Sequence, residues 1–231
     1  MSDQKQKEKQ SVVLVHGIWM TGLEMGWLGL RLGAMGHSVH YFHYQSFSTR
    51  PRESAEKLND FVKQLQLEQV HFVGHSLGGI ILLHLFDLYP GQPPGRVVLL
   101  GSPVLGSLVA RTLSFYPLLH HLLGRTTDQG LLGDAPAWRR SRPLGVIAGN
   151  SGMGIGRVFG CLDGPCDGTV AVAETRLAGA DDFCTLPVGH MGMLFSREVA
   201  KQTEKFLETA RFEQGSGPIS SSPQVPENQP E

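Results

Sequence analysis

No stretch of the 231-residue chain holds the 18 or more consecutive apolar residues that a membrane-spanning helix needs. The most apolar window, residues 104–123, is broken by Arg111, Pro117, His120 and His121, which argues against insertion. The first ten residues are almost wholly polar and lack the apolar core of a secretory signal, so the expected location is cytoplasmic. Charge of one sign is missing too. With 20 Lys and Arg against 21 Asp and Glu, the net charge is -1, and so balanced a chain offers no field for holding a polyanion. Nucleic acid is therefore not expected as a partner. Cysteine is scarce: Cys161, Cys166 and Cys184 make an odd count in a medium-sized chain, not a disulfide framework. Cys161 and Cys166, with Asp163 between them, have neither zinc-knuckle spacing nor a second pair to complete a ligand set. No metal and no cofactor is expected.

The hydrophobic fraction, 41%, is ample for one buried core at this length. Residues 1–10 read as a polar tail, 11–212 as the domain, and 213–231, rich in Ser, Pro, Gly and Gln, as a disordered tail. Short apolar, β-rich runs recur at 12–15, 39–44, 70–73, 97–100, 144–148 and 183–188. Helical spacing separates them. It is clearest over 51–67, where Ala55, Leu58, Phe61, Val62 and Leu65 form one stripe and Pro51 suits the first turn. Residues 196–212 read as a last amphipathic helix. Strands alternating with helices predict an α/β fold, a mostly parallel sheet of about six strands with helices on both faces.

The chemistry starts at the third run, which leads into Gly74, His75, Ser76, Leu77, Gly78, Gly79 and then a helical stretch. This is the GxSxG pattern in the strand-turn-helix setting that a nucleophile elbow requires. Ser76 is the expected nucleophile. An oxyanion formed by its attack needs donors fixed in advance, and the backbone N–H of Leu77 supplies one. The first strand ends in His16, Gly17, Ile18, where the second donor loop belongs, and the Ile18 N–H is assigned to it. His16 is expected to prop that loop rather than act as base.

A serine hydroxyl needs an imidazole to take its proton and a carboxylate to orient that imidazole. In this architecture the chain order is Ser, acid, His. Of ten histidines, those before Ser76 fail the order, His75 is too local, His84 lies in a helix, and His120 and His121 precede any acid. His190, after the last strand, remains. Asp163, Asp167, Asp181 and Asp182 qualify as the acid by order, but the last two sit at the entrance of the final strand, the wrong end of the sheet. Asp167 is preferred because Asp167, Gly168, Thr169, Val170 forms a tight turn into an ordered segment; Asp163 is the reserve. The run 149–156 has GxGxG spacing and no clear helix after it, so it does not form a phosphate cradle.

Taken together, Val15 to Ile18, Gly74 to Gly79, Gly101 to Ser107, Asp167 to Val170, and Gly189 with His190 resemble the α/β-hydrolase superfamily. Within it the chain looks like the bacterial triacylglycerol lipase and esterase group. The resemblance implies hydrolysis of a small-molecule acyl ester or lipid through an acyl-serine intermediate. It also implies a cap over the acyl site from residues 105–124, lined by Leu108, Leu113, Phe115, Leu118 and Leu122, against the alternative of a helix packed on the core. Thioester or amide cleavage by the same triad, and a non-catalytic binding protein on the same fold, are the competing readings.

Overall fold

The computed structural model describes residues 10–116, 123–152 and 164–213. Both expected tails, except Gln10 and Glu213, lie outside them. Six strands form one sheet: β1 (Ser11–Val15), β2 (Ser38–Phe42), β3 (Val70–His75), β4 (Val97–Leu100), β5 (Leu144–Gly149) and β6 (Asp182–Leu186). Their order is β2-β1-β3-β4-β5-β6 and every pairing is parallel. The α/β-hydrolase architecture expected from the sequence is therefore present.

Alternation along the strands builds two cores. Val13 and Val15 of β1 join one apolar cluster with Leu58 and Val62, while Val12 and Leu14 join the other with Leu28 and Phe206. Helices α2 (Pro51–Leu65) and α3 (Leu77–Leu88) cover the first face. Helices α1 (Gly26–Ala34) and, after α4 (Leu108–Ser114) and α5 (Gly192–Phe195), α6 (Arg197–Thr209) cover the second. Pro51 occupies the first turn of α2, and Gln66 closes that helix in the left-handed conformation.

Boundaries differ from the sequence expectation where local chemistry intervenes. The sixth strand stops at Leu186, short of 188, because Pro187 brings no N–H to the ladder. The last helix runs 197–209, not 196–212: the Ser196 hydroxyl caps it by accepting the Val199 N–H, and Ala210 ends it at φ 61°. The second strand stops at Phe42, two residues short of 44, and the Tyr44 side chain serves the site described below.

The amino end of the sheet holds a titratable residue that must stay neutral. His71 on β3 is fully buried; its Nδ1 accepts the Arg96 N–H (3.0 Å) and its Nε2–H points to Gln10 Oε1 (3.3 Å). Burial, helped by His37, Arg96 and Arg142, pushes its pKa down to about 4. The unfolded chain takes up this proton near pH 6.5 and the folded chain does not until about 4, so stability falls as pH drops through that window. Between pH 7 and 5 the expected loss from His71 is about 2 kcal/mol. His71→Asn keeps an acceptor for Arg96 and removes the titration. Urea unfolding at both pH values is expected to show the loss shrinking by that amount, and an equal loss in both proteins would refute the neutral assignment.

Candidate active site

In a parallel sheet of this order the strand sequence reverses between β1 and β3, and the crevice beyond their carboxyl ends is where such folds place a site. Ser76 stands there. It joins β3 to α3 at φ 54° and ψ -121°, a conformation that costs an L-residue energy and persists only where its surroundings impose it. The imposing contacts are backbone: a Cβ on Gly78 would lie 2.2 Å from the Val15 carbonyl oxygen, and one on Gly74 would lie 2.7 Å from the Gly79 nitrogen. Two glycines thus let β1, β3 and α3 approach closely enough to form the turn.

The loop after β1 lies directly against this turn. A Cβ on Gly17 would come within 3.1 Å of the Ser76 Cβ. Next to it, His16 stacks on Tyr44 (ring centroids 4.2 Å, 18° between planes), and its Nδ1–H donates to the Gly17 carbonyl at 2.9 Å. The Tyr44 hydroxyl donates to the His16 carbonyl at 2.8 Å. His16 therefore buttresses the loop, as the sequence suggests, and burial holds its pKa below the ordinary imidazole value. Ile18 lines the same pocket as Ser76. Leu77, first residue of α3, has an N–H without an intrahelical acceptor at the positive end of the helix dipole.

Asp167 and His190 meet across 23 residues of chain. The His190 Nδ1–H donates to Asp167 Oδ2 at 2.7 Å, and the His190 backbone N–H donates to the Asp167 carbonyl at 2.9 Å. The other carboxylate oxygen, Oδ1, accepts the N–H groups of Thr169 (2.9 Å) and Val170 (2.7 Å), the tight turn read from the sequence. Asp167 is buried and His190 partly exposed, so the pair opens on the imidazole side. Among the described residues no hydrogen bond joins Ser76 Oγ to His190. His75 packs against the same imidazole: its ring lies 4.7 Å from the His190 ring and its Nε2–H donates to the His190 carbonyl at 3.1 Å. In hydrolases without substrate such hydrogen bonds are often long and tighten only on binding.

The other candidate acids divide cleanly. Asp181 accepts the Leu144 N–H and Asp182 the Phe212 N–H, both at the amino end of the sheet and remote from Ser76. Asp163 lies outside the described residues, as do His120, His121, Leu118, Leu122 and half of the 149–156 glycine run.

A pocket beside Ser76 is walled by Ile18, Trp19, Val109, Ala110, Leu113 and Val170. The expectation for the cap is only partly met. Leu113 faces the pocket, but Leu108 and Phe115 are 44% and 83% exposed and face away. The reason is the register of α4: Val109, Ala110 and Leu113 share one helical face, and 108 and 115 fall outside it. Several residues here escaped sequence reasoning. Trp19, at φ 58°, and Tyr44 leave no periodic trace, and His75 serves its neighbour 115 residues away, not the one beside it. Glu174 accepts the Ala171 N–H, but with Ala where a capping box has Ser or Thr the sequence carries no signal for it.

Comparisons with known proteins place the fold. A protein of Pantoea ananatis (strain LMG 20103), RutD, named for carbamate hydrolysis, is 29% identical over 119 residues; the match covers 47% of this chain and 42% of that one, less than half the relative's length. The mature lipase BlEst2 of Bacillus licheniformis superposes with a TM-score of 0.67 at 18% identity, over 91% of this chain and 95% of that one. Phospholipase PlaB of Legionella pneumophila gives 0.61 at 18% identity, over 84% and 57% of the two chains. At such identities the structural likenesses speak to fold alone. The sequence pattern of the Alpha/beta hydrolase family matches residues 12–202, so this chain belongs to that family.

Proposed function

We propose that this protein is a serine hydrolase that cleaves carboxylic acyl esters, with Ser76, His190 and Asp167 as its triad and the Ile18 and Leu77 N–H groups as its oxyanion hole. The observation that carries the reading is the 2.7 Å hydrogen bond from His190 to a buried Asp167, beside a strained serine on a strand-to-helix turn. With the proton held on Nδ1, Nε2 keeps its lone pair for the serine hydroxyl.

In the reaction, Nε2 takes the Ser76 proton while Oγ bonds to the acyl carbon, and the carbonyl oxygen becomes an anion facing the two N–H donors. Collapse breaks the carbon–alkoxy bond, and His190 gives the proton to the departing alcohol. Water then attacks the acyl-serine, surrendering a proton to His190. The second collapse breaks the carbon–Oγ bond, and the proton returns to Ser76, leaving acid and alcohol as products.

The Pantoea ananatis relative named for carbamate hydrolysis favours a second reading, attack on a carbamoyl carbon by the same triad. Thioesters are open to the same chemistry.

A fluorophosphonate probe tests the core of the proposal. Stoichiometric labelling of the wild-type protein, located at Ser76 by mass spectrometry and abolished in Ser76→Ala, is expected, with ester turnover exceeding that of carbamates and thioesters. No labelling, together with equal background turnover in both proteins, would favour a binding protein on a hydrolase fold.

A further inference from the structure

The pocket beside Ser76 is small, apolar and backed by a helix that is fixed at its start. Its volume is about 60 Å³. That is small beside the roughly 300–1,000 Å³ of a site that encloses a whole drug-sized ligand. Val109, Ala110 and Leu113 on the inner face of α4 supply one apolar wall, each less than a tenth exposed.

Hydrogen bonds fix the start of that helix, one of them reaching across 66 residues of chain. The Ser107 hydroxyl accepts the Ala110 N–H at 3.1 Å. Glu174 Oε1 accepts the Leu108 N–H at 2.5 Å, and its Oε2 accepts the Ala171 N–H at 2.8 Å. Glu174 is buried, so moving α4 outward would strand a carboxylate oxygen away from water, a penalty larger than that of an ordinary lost hydrogen bond. The same carboxylate is tied to the segment that carries Asp167. The start of α4 and the segment that follows Asp167 are therefore joined by one group.

Resting on the ester-hydrolase reading, we infer that the inner face of α4 limits the substrate to short acyl groups, with Leu113 and Ala110 as the residues that set the length. A longer chain must press on that wall, and a shorter one leaves apolar surface uncovered. A methylene that finds or loses such a wall changes kcat/KM by roughly tenfold or more.

The test is a kcat/KM profile over p-nitrophenyl esters from acetate to decanoate, for wild type, Leu113→Ala, Leu113→Val and Ala110→Leu. The wild type is expected to peak between butyrate and hexanoate and to fall at least tenfold by decanoate. Truncation at Leu113 moves the maximum to longer chains, by less in the Val variant, and Ala110→Leu moves it to acetate. The Val variant keeps the test valid if the Ala variant fails to fold. A flat profile, a wild-type maximum at octanoate or beyond, or folded variants with unmoved maxima overturn the assignment of α4. Fluorophosphonate labelling separates the two levels: labelled protein with a flat profile defeats this inference alone, whereas unlabelled, inactive protein defeats the hydrolase reading and this inference with it.

Discussion

Asp167→Asn is expected to lower kcat by about 10³–10⁴-fold while leaving stability nearly unchanged. The magnitude follows from which atoms surround the carboxylate. Its Oδ1 accepts two backbone N–H groups, from Thr169 and Val170, and its Oδ2 accepts the His190 Nδ1–H. An asparagine must turn its carbonyl oxygen to the two backbone donors, which leaves its NH₂ facing His190. That group donates, so the imidazole must present Nδ1 as an acceptor and carry its proton on Nε2. In the proposed triad, the nitrogen that must receive the Ser76 proton then already holds one and cannot take another. Steady-state rates with circular dichroism on the same samples check this. A loss below tenfold would show that Asp167 is not the acid, and a large loss in Asp163→Asn would move the role there.

Gly78→Ala carries the second large expectation, a destabilisation of about 3 kcal/mol or more, with loss of serine labelling in whatever folds. The methyl would lie 2.2 Å from the Val15 oxygen and 2.7 Å from the His16 oxygen. Neither can yield. Val15 is paired to β2 on one side and β3 on the other, and His16 is fixed by its stack on Tyr44. Gly33→Ala serves as the opposite control: it lies in α1 with open space where its Cβ would go, and a gain of about 0.5–1 kcal/mol is expected there. Denaturant unfolding of the two variants reads both numbers. Similar stabilities would mean that the turn is looser than its geometry implies.

Much of this architecture is legible in the sequence because burial on both faces leaves a continuous apolar imprint. β1 and β4 are read at nearly their full extent for that reason. The elbow is legible because its constraint is local: close backbone approach demands glycine at fixed offsets from Ser76. The pairing of Asp167 with His190 follows from chain order, which a parallel α/β topology converts into spatial proximity. The contacts that finish the site have no such imprint. Glu174 meets Leu108 across 66 residues, His75 meets the His190 carbonyl across 115, and Tyr44 reaches back 28 to His16. Each is a single polar contact between segments far apart in the chain, made possible only after the sheet has brought them together. The facing of α4 was missed for a related reason: a seven-residue helix shows too few turns for its stripe to be told from its exposed side.

The two ends of the folded body leave the molecule on the side away from the reacting groups. Gln10 enters β1 at the edge where it meets His37 and His71, and Phe212 is held by Asp182 at the start of β6. Anything fused to or tethered through either end, such as a purification handle, a surface linkage or a second protein, departs from the far rim of the sheet. Immobilised in that way, the molecule would present the Ser76 opening to the bulk liquid.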